Sequence, residues 1–332
     1  MKAPRAAAAP RAAGTRCGWG RGSAALRPLA NQAGAALIAS LLAAALVSTL
    51  AAAMIFSQEI DIRRSGNIFH GDQAYLYALG VESWATMLLG RAEPGEEHEY
   101  LGRPLPPIMV VGGQIGGRLD DLQGRFNLNN LVLADEETQE RQRLQFRRLL
   151  TACGLSEDLE QAVSDWLDAD QEPRFPGGAE DSEYLRRDPP YRTADRPLID
   201  PGELARVYGF DSEEYEQCLK PLVTALPEVT ALNINTAPAP LLASLSDQLD
   251  LGGAEQLLAD RPTGRGYLDL ADFLAHPALA GSGISGEDSG LLAVQSRYFM
   301  VQSEAVIGQS RVALYSVLKR EGDAVRVLRR NR

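Results

Sequence analysis

Residues 35–56 read AALIASLLAAALVSTLAAAMIF, 22 residues without a charge. A helix that crosses the hydrocarbon core of a bilayer needs about 20 residues, so the run is long enough to span one. Residues 1–34 before it carry Lys2, Arg5, Arg11, Arg16, Arg21 and Arg27 and no acid, and Glu59 and Asp61 follow it. Basic flanks stay in the cytoplasm, so the N-terminus is expected inside and the chain beyond residue 57 outside. A cleaved secretory signal has an apolar stretch of only about 7–15 residues. This run is longer, and no turn ends it. Phe69, Leu76, Trp84 and Met87 recur at near-helical spacing, which predicts a helix continuing to a stop at Gly90 and Pro94. A helix over 35–90 would measure roughly 80 Å at ~1.5 Å per residue, half of it in lipid and half in a soluble domain.

Outward from that helix, residues 91–104 are charged and punctuated by Pro and Gly, a loop pattern. Residues 105–126 alternate apolar with polar or Gly and predict one or two strands. The Gly pairs 112–113 and 116–117 lack the Lys-Ser/Thr ending of a phosphate loop and read as tight turns or bulges. From 291 the alternation returns in LLAVQSRYFMVQSEAVIG, QSRVALYSVLKREG and DAVRVLRRNR, a three-stranded antiparallel meander with turns at Gly308 and Glu321-Gly322-Asp323. Between these blocks, 127–290 is helical in pattern. The expected fold class is therefore α+β: a long N-terminal helix on a small antiparallel sheet built from 57–126 and 291–332, with an all-α domain inserted between its strands.

Charge separates the same regions. Without the basic leader, 27 basic and 44 acidic residues remain, a formal −17. Residues 127–290 hold 31 acids against 13 bases, or −18. Such a surface repels nucleic acid and anionic lipid and suits cations or basic partners. His70, His98 and His276 are scattered, and no metalloprotease, serine-hydrolase or Cys-His pattern occurs. The sequence therefore predicts no enzyme. Cys153 and Cys218 either pair as a disulfide in an oxidising compartment or remain buried thiols.

The inserted region carries one unit twice, over 127–225 and 226–290. Phe126-Asn127-Leu128-Asn129-Asn130 is echoed by Leu232-Asn233-Ile234-Asn235-Thr236, and Leu159-Glu-Gln-Ala-Val by Ala254-Glu-Gln-Leu-Leu. Each unit closes on a similar segment, at 201–205 and 270–274. The units resemble SAM-like, helix-hairpin-helix modules, some of which hold DNA phosphates on a Gly-containing hairpin backed by Lys or Arg. Here acids crowd both hairpins, so each Asn is expected to tie down a turn instead. A membrane-anchored DNA receptor stands as the alternative function.

The first unit is longer by an insertion at 168–197, which begins Asp168-Ala-Asp170-Gln-Glu172-Pro and closes on Glu180-Asp181. Carboxylates at alternate positions of a turning loop suit Ca²⁺, a hard cation taking six to eight oxygens. The loop is not an EF-hand, since Pro173 and Ala179 stand where Gly and Glu would be needed. Asp168, Asp170, Glu172, Glu180 and Asp181 are the candidate ligands, and a solvated acidic loop is the competing reading.

Five blocks, in order, resemble the type II secretion system protein K family (general secretion pathway protein K, the large minor pseudopilin). They are Asp72-Gln-Ala-Tyr-Leu-Tyr-Ala-Leu-Gly80, Asp121-Leu-Gln-Gly-Arg-Phe-Asn-Leu-Asn-Asn130, Asp165-Trp-Leu-Asp-Ala-Asp-Gln-Glu-Pro173, Gly178-Ala-Glu-Asp181 and Leu232-Asn-Ile-Asn-Thr-Ala-Pro238. The resemblance implies a pseudopilin fold and a leader cut by prepilin peptidase after Gly34, leaving Ala35 as the methylated N-terminus. The residues before Gly34 are Asn31-Gln32-Ala33, without the adjacent Arg or Lys usual in the family. It also implies Ca²⁺ in the inserted domain and a place in the inner membrane with the bulk periplasmic. Minor pseudopilins I and J, other pseudopilins and secreted cargo are the partners it implies. Ala39 stands at the fifth mature position, where most pseudopilins place Glu. An uncharged residue there avoids a burial cost in lipid and suits a subunit with nothing above it in the fibre.

Overall fold

The computed structural model describes residues 33–93, 95–284 and 290–332, so the leader as far as Gln32, and Pro94, lie outside the described residues. Helix α1 is Ala33–Arg91. The chain divides at Arg63/Arg64 into two compact units. In the first, Leu37, Leu41, Leu46, Leu50 and Phe56 are all more than half exposed, and the best stretch has a mean hydropathy of 2.3. A helix this apolar with no protein cover is long enough to cross a membrane.

In the second unit, α1 is followed by β1 (Ile108–Val110) and β2 (Gly113–Asp121). The helical region then contributes the two-residue strands β3 (Phe126–Asn127), β4 (Val223–Thr224), β5 (Leu232–Asn233) and β6 (Leu292–Ala293). The chain ends in β7 (Tyr298–Ile307), β8 (Ser310–Glu321) and β9 (Ala324–Asn331). The main sheet is antiparallel with order β1-β2-β7-β8-β9. Gly112 turns the chain between β1 and β2 with φ 87°, a left-handed value glycine tolerates best. Residues 291–297, read from sequence as strand, do not enter this sheet. Leu292–Ala293 pairs in parallel with Leu232–Asn233 instead, and the sheet begins only at Tyr298.

The helix meets the sheet through small residues. Ala74, Ala78, Val81, Ala85 and Leu89 recur every three or four positions and are buried. They pack against Ala305, Ile307, Leu314, Phe299, Val301 and Leu318. The large apolar residues whose spacing predicts the helix's continuation lie on another face: Phe69, Leu76, Trp84 and Met87 are exposed. Alanine allows the sheet to approach closely, whereas bulky side chains on that face would hold it away. Glu82 is the one charge on the buried face. It receives two 2.7 Å bonds from Arg330 of β9 and one from the Ser316 hydroxyl of β8.

The inserted domain leaves the sheet after Asp121 and returns at Tyr298. Asp121 pairs with Phe299 across the ladder, and Leu122 N–H donates to the Tyr298 carbonyl at 3.0 Å. Its helices are α2 (Glu136–Ala152), α3 (Leu159–Leu167), α4 (Asp181–Tyr184), α5 (Ala239–Ala243), α6 (Leu251–Ala259) and α7 (Leu270–Leu274). Much of the acidity has local work: Asp135, Asp250 and Asp269 cap α2, α6 and α7 through their carboxylates. Both units share one hydrophobic core that includes Phe146, Trp166, Phe210, Leu241 and Phe273.

The internal repeat appears as matched hydrogen bonds. Asn127 and Asn233 each accept from the N–H two residues on, at 3.3 and 3.0 Å. Asn129 clamps the Leu198 peptide, accepting its N–H at 2.8 Å and donating to its carbonyl at 2.9 Å. Asn235 clamps Tyr267 in the same way, at 2.8 Å both ways. The asparagines therefore fasten each unit's last segment to its first, and Asn233 also donates to Asp121 at 2.8 Å, tying the second unit to the sheet.

Cys153, at the end of α2, is disulfide-bonded to Cys218, 65 residues on, with Cα atoms 5.5 Å apart. The bond resolves the alternative left open by spacing. Closing a loop of that length removes about 4 kcal/mol of unfolded-chain entropy. Cys218→Ser is expected to lower the unfolding free energy by about that amount relative to the oxidised protein. Guanidinium titration checks it: an unchanged midpoint would mean the bond does not constrain the unfolded chain.

Candidate metal centre

Helix α3 presents Asp165 on its buried face, wholly shielded from solvent, and ends at Asp168, whose N–H still bonds to Ser164 O at 3.0 Å. Two residues on, the Asp170 carboxylate accepts from Glu172 N–H at 2.9 Å and bends the chain away. The chain returns at Gly178. A side chain there would put its Cβ 2.3 Å from Asp165 Oδ2 and 2.4 Å from the Arg174 carbonyl, so only glycine fits. That return brings Glu180, at the start of α4, back to α3. Oxygens of Asp168, Asp170 and Glu180 then lie within 4.8 Å of one another.

Three carboxylates so close repel unless a cation sits among them. Arg174 neutralises part of the group, with Nη1 2.5 Å from both Asp165 Oδ1 and Asp168 Oδ2. It does not reach the rest. Among the described residues, both oxygens of Glu180 and Oδ1 of Asp168 are buried without a hydrogen-bond partner, although Glu180 is only 3% exposed. Burial, followed by the charges of Asp165, Asp168, Asp195 and Asp170, pushes its carboxyl up to about 8. Orphaned carboxylate oxygens at a convergence of acids are the donor set a hard divalent cation requires.

Of the residues expected from sequence, Asp168, Asp170 and Glu180 come together. Glu172 is exposed and outside the group. Asp181 is engaged elsewhere: Oδ1 accepts from the N–H and hydroxyl of Thr193, each at 3.0 Å, and Oδ2 from Arg192 at 3.0 Å. It anchors the loop at 192–193. Asp165, which holds Arg174 in place, was not among the expected ligands. Its signal was a charge inside the apolar stretch Ala162-Val163-Ser164-Asp165-Trp166 of α3, where a solvated acid has no place.

The comparisons with known proteins bear on the whole chain. Two family models, both described as type II secretion system (T2SS) protein K, match residues 124–228 and 232–295. Type II secretion system protein K of Pseudomonas aeruginosa is 40% identical over 317 residues, which is 90% of this chain and 92% of that one. The chain belongs to the type II secretion system protein K family. The Pectobacterium carotovorum protein K is 32% identical, covering 90% of this chain and 96% of its own. Among solved structures, the GspK-GspI-GspJ complex from the type 2 secretion system of enterotoxigenic Escherichia coli contains a similar chain. That chain matches with a TM-score of 0.72 at 28% identity, over 81% of this chain and 98% of its own. Membership carries the role of a minor pseudopilin, and the apolar first part of α1 fits a single-pass anchor in such a protein.

Proposed function

We propose that this chain forms the tip of a periplasmic pseudopilus together with minor pseudopilins I and J, and that it initiates or caps the fibre for protein export across the outer membrane. The observation that carries this reading is the inserted domain, rooted where β2 ends and β7 begins; the uncharged Ala39 would be the fifth residue once the leader is removed at Gly34. The relative in the solved complex is assembled with the I and J subunits, and the exposed Phe69, Leu76, Trp84 and Met87 of α1 offer apolar surface for such neighbours. Prepilin peptidase cuts after Gly34, and Ala35 becomes the methylated N-terminus in the inner membrane, with the basic leader on the cytoplasmic side. The role is architectural and not catalytic.

Within the inserted domain, Asp168, Asp170 and Glu180 hold a structural Ca²⁺. The ion supplies the partner that the Glu180 oxygens lack and staples the long loop to α3. Glu172 and Asp181 shape that loop from outside the ligand set.

N-terminal sequencing of the protein from cells with and without prepilin peptidase tests the processing step, with a mature chain starting at Ala35 expected only when the peptidase is present. Co-purification of the processed chain with I and J tests the tip. A chain that matures yet never co-purifies with either partner would sink the tip assignment.

A further inference from the structure

A cleft of about 610 Å³ lies where the end of β2 and the loop at 101–103 face the second helical unit. It stands out for its charge. In a chain whose inserted region is −18, this cleft is lined by Arg103, Arg118, Arg125 and Arg261, with Asp120 and the buried Asp121 as its acids. Within the cleft, Asp120 holds Arg118 at 2.6 Å. The charges of Asp120 and Asp121 act on Arg125 without touching it. Among the described residues, Arg103 and Arg125 have no hydrogen-bond or ion-pair partner, and Arg125 is half-buried. Burial pulls Arg125 below its ordinary range, ahead of any help from Asp120, so its charge stands partly desolvated.

Arg261 is fixed in place. One terminal nitrogen donates to the carbonyls of Ile234 and Ala237 at 2.8 and 3.2 Å, and its Nε–H is buried with no acceptor. His98 lines the same cleft. Its Nδ1 faces the Arg265 carbonyl at 2.8 Å, and a carbonyl only accepts, so the ring proton sits there. The other nitrogen, Nε2, is buried and unpartnered.

We propose that this cleft binds a carboxylate of an acidic peptide segment from another protein, gripped by Arg125 and Arg261 with Arg103 adding charge at the exposed rim. A carboxylate presents two coplanar acceptors that match the guanidinium fork. A doubly charged phosphate would face Asp120 and Asp121 with more repulsion, so the single charge is the better fit. Because the cleft is lined by both the sheet and the inserted domain, the ligand would bridge the two. The site lies apart from the calcium loop and does not depend on it.

The test uses the full chain in neutral detergent micelles and two fluorescent peptides, one with a run of glutamates and one with glutamines in their place. Fluorescence anisotropy is expected to show salt-sensitive binding of the glutamate peptide and none of the glutamine peptide. Arg125→Ala should weaken binding roughly tenfold or more, as loss of a hydrogen bond to a charged group implies, with no change in melting temperature. Arg103→Ala, at an exposed position, should weaken it less, and it serves as the readout if Arg125→Ala does not fold. Equal binding of both peptides, no binding of either, or full affinity in both variants would overturn the proposal. So would binding of inorganic phosphate that is lost in Arg125→Ala while the peptide fails to bind.

Discussion

Calcium added to the chelator-treated protein at pH 8 is expected to raise its melting temperature by roughly 5–10 °C at about a hundredfold excess over Kd, and Glu180→Gln is expected to abolish the rise. The expectation follows from the orphaned oxygens of Glu180. Without metal, its carboxyl titrates near 8 in the folded protein against an ordinary value of 4.5. The raised value means the folded state keeps a proton that the unfolded state has already released. Stability of the metal-free protein is therefore intact below about pH 4.5 and declines as pH rises towards 8, by up to about 1.4 kcal/mol per pH unit. Calcium displaces that proton, so its effect grows over the same window. Glu180→Gln has no proton to release, and its metal-free form should lose the pH-dependent decline along with the calcium response. Scanning calorimetry at pH 5 and pH 8 separates the cases. A variant that still responds to calcium like the wild type would remove Glu180 from the ligand set.

Glu82→Ala is expected to destabilise the soluble unit by about 3 kcal/mol. That is the low end of what removing one partner of a buried ion pair costs, because the remaining Arg330 reaches solvent. Glu82 itself is 4% exposed. Its removal frees the Arg330 fork and strands the buried Ser316 hydroxyl, so α1 loses its buried polar tether to β8 and its tie to Arg330 of β9. Burial works against the Glu82 charge, but hydrogen bonds from Arg330 and Ser316 and the guanidinium's charge outweigh it and hold the carboxyl below the ordinary range. A lowered folded value places its stabilisation above about pH 4.5 and removes it as pH falls further. Glu82→Gln, which keeps the shape and part of the hydrogen bonding, should lose less. Urea titrations at pH 7 and pH 4 check both statements: equal losses for Ala and Gln at pH 7 would mean the fork, and not the cavity or the stranded hydroxyl, carries the whole effect.

The parts of this protein legible in sequence were those written in periodicity. The uncharged run, the alternation in β7 and β8 and the echo between Asn127 and Asn233 each repeat a local rule several times. What stayed hidden depended on a partner distant in the chain. The face of α1 that meets the sheet was not assigned from sequence, since Ala74, Ala78 and Ala85 carry little hydrophobic signal beside Phe69 and Trp84. Their value lies in being small where a sheet comes close. Which carboxylates come together was blurred for a related reason. Asp168, Asp170 and Asp181 look alike in sequence, and only the position of Thr193 and Arg192 shows that Asp181 is already occupied. Cys153 and Cys218 likewise gave no sign of pairing, because a disulfide is a fact about distance.

The placement of the insertion has a consequence for how the chain acquires its structure. β2 is made early but cannot complete its ladder with β7 until residues 122–297 have been synthesised. For a disordered loop of that length, bringing its ends together costs about 4–5 kcal/mol. The inserted domain's own pairings close shorter loops than the β2·β7 pairing, so it folds ahead of that pairing, and once folded it delivers Leu122 and Tyr298 side by side. The insertion then acts as a pre-formed clasp that sets the register of the sheet. A fault in its asparagine clamps would show first as slow closure of the β2·β7 pairing, well before any fault in the inserted domain's own function.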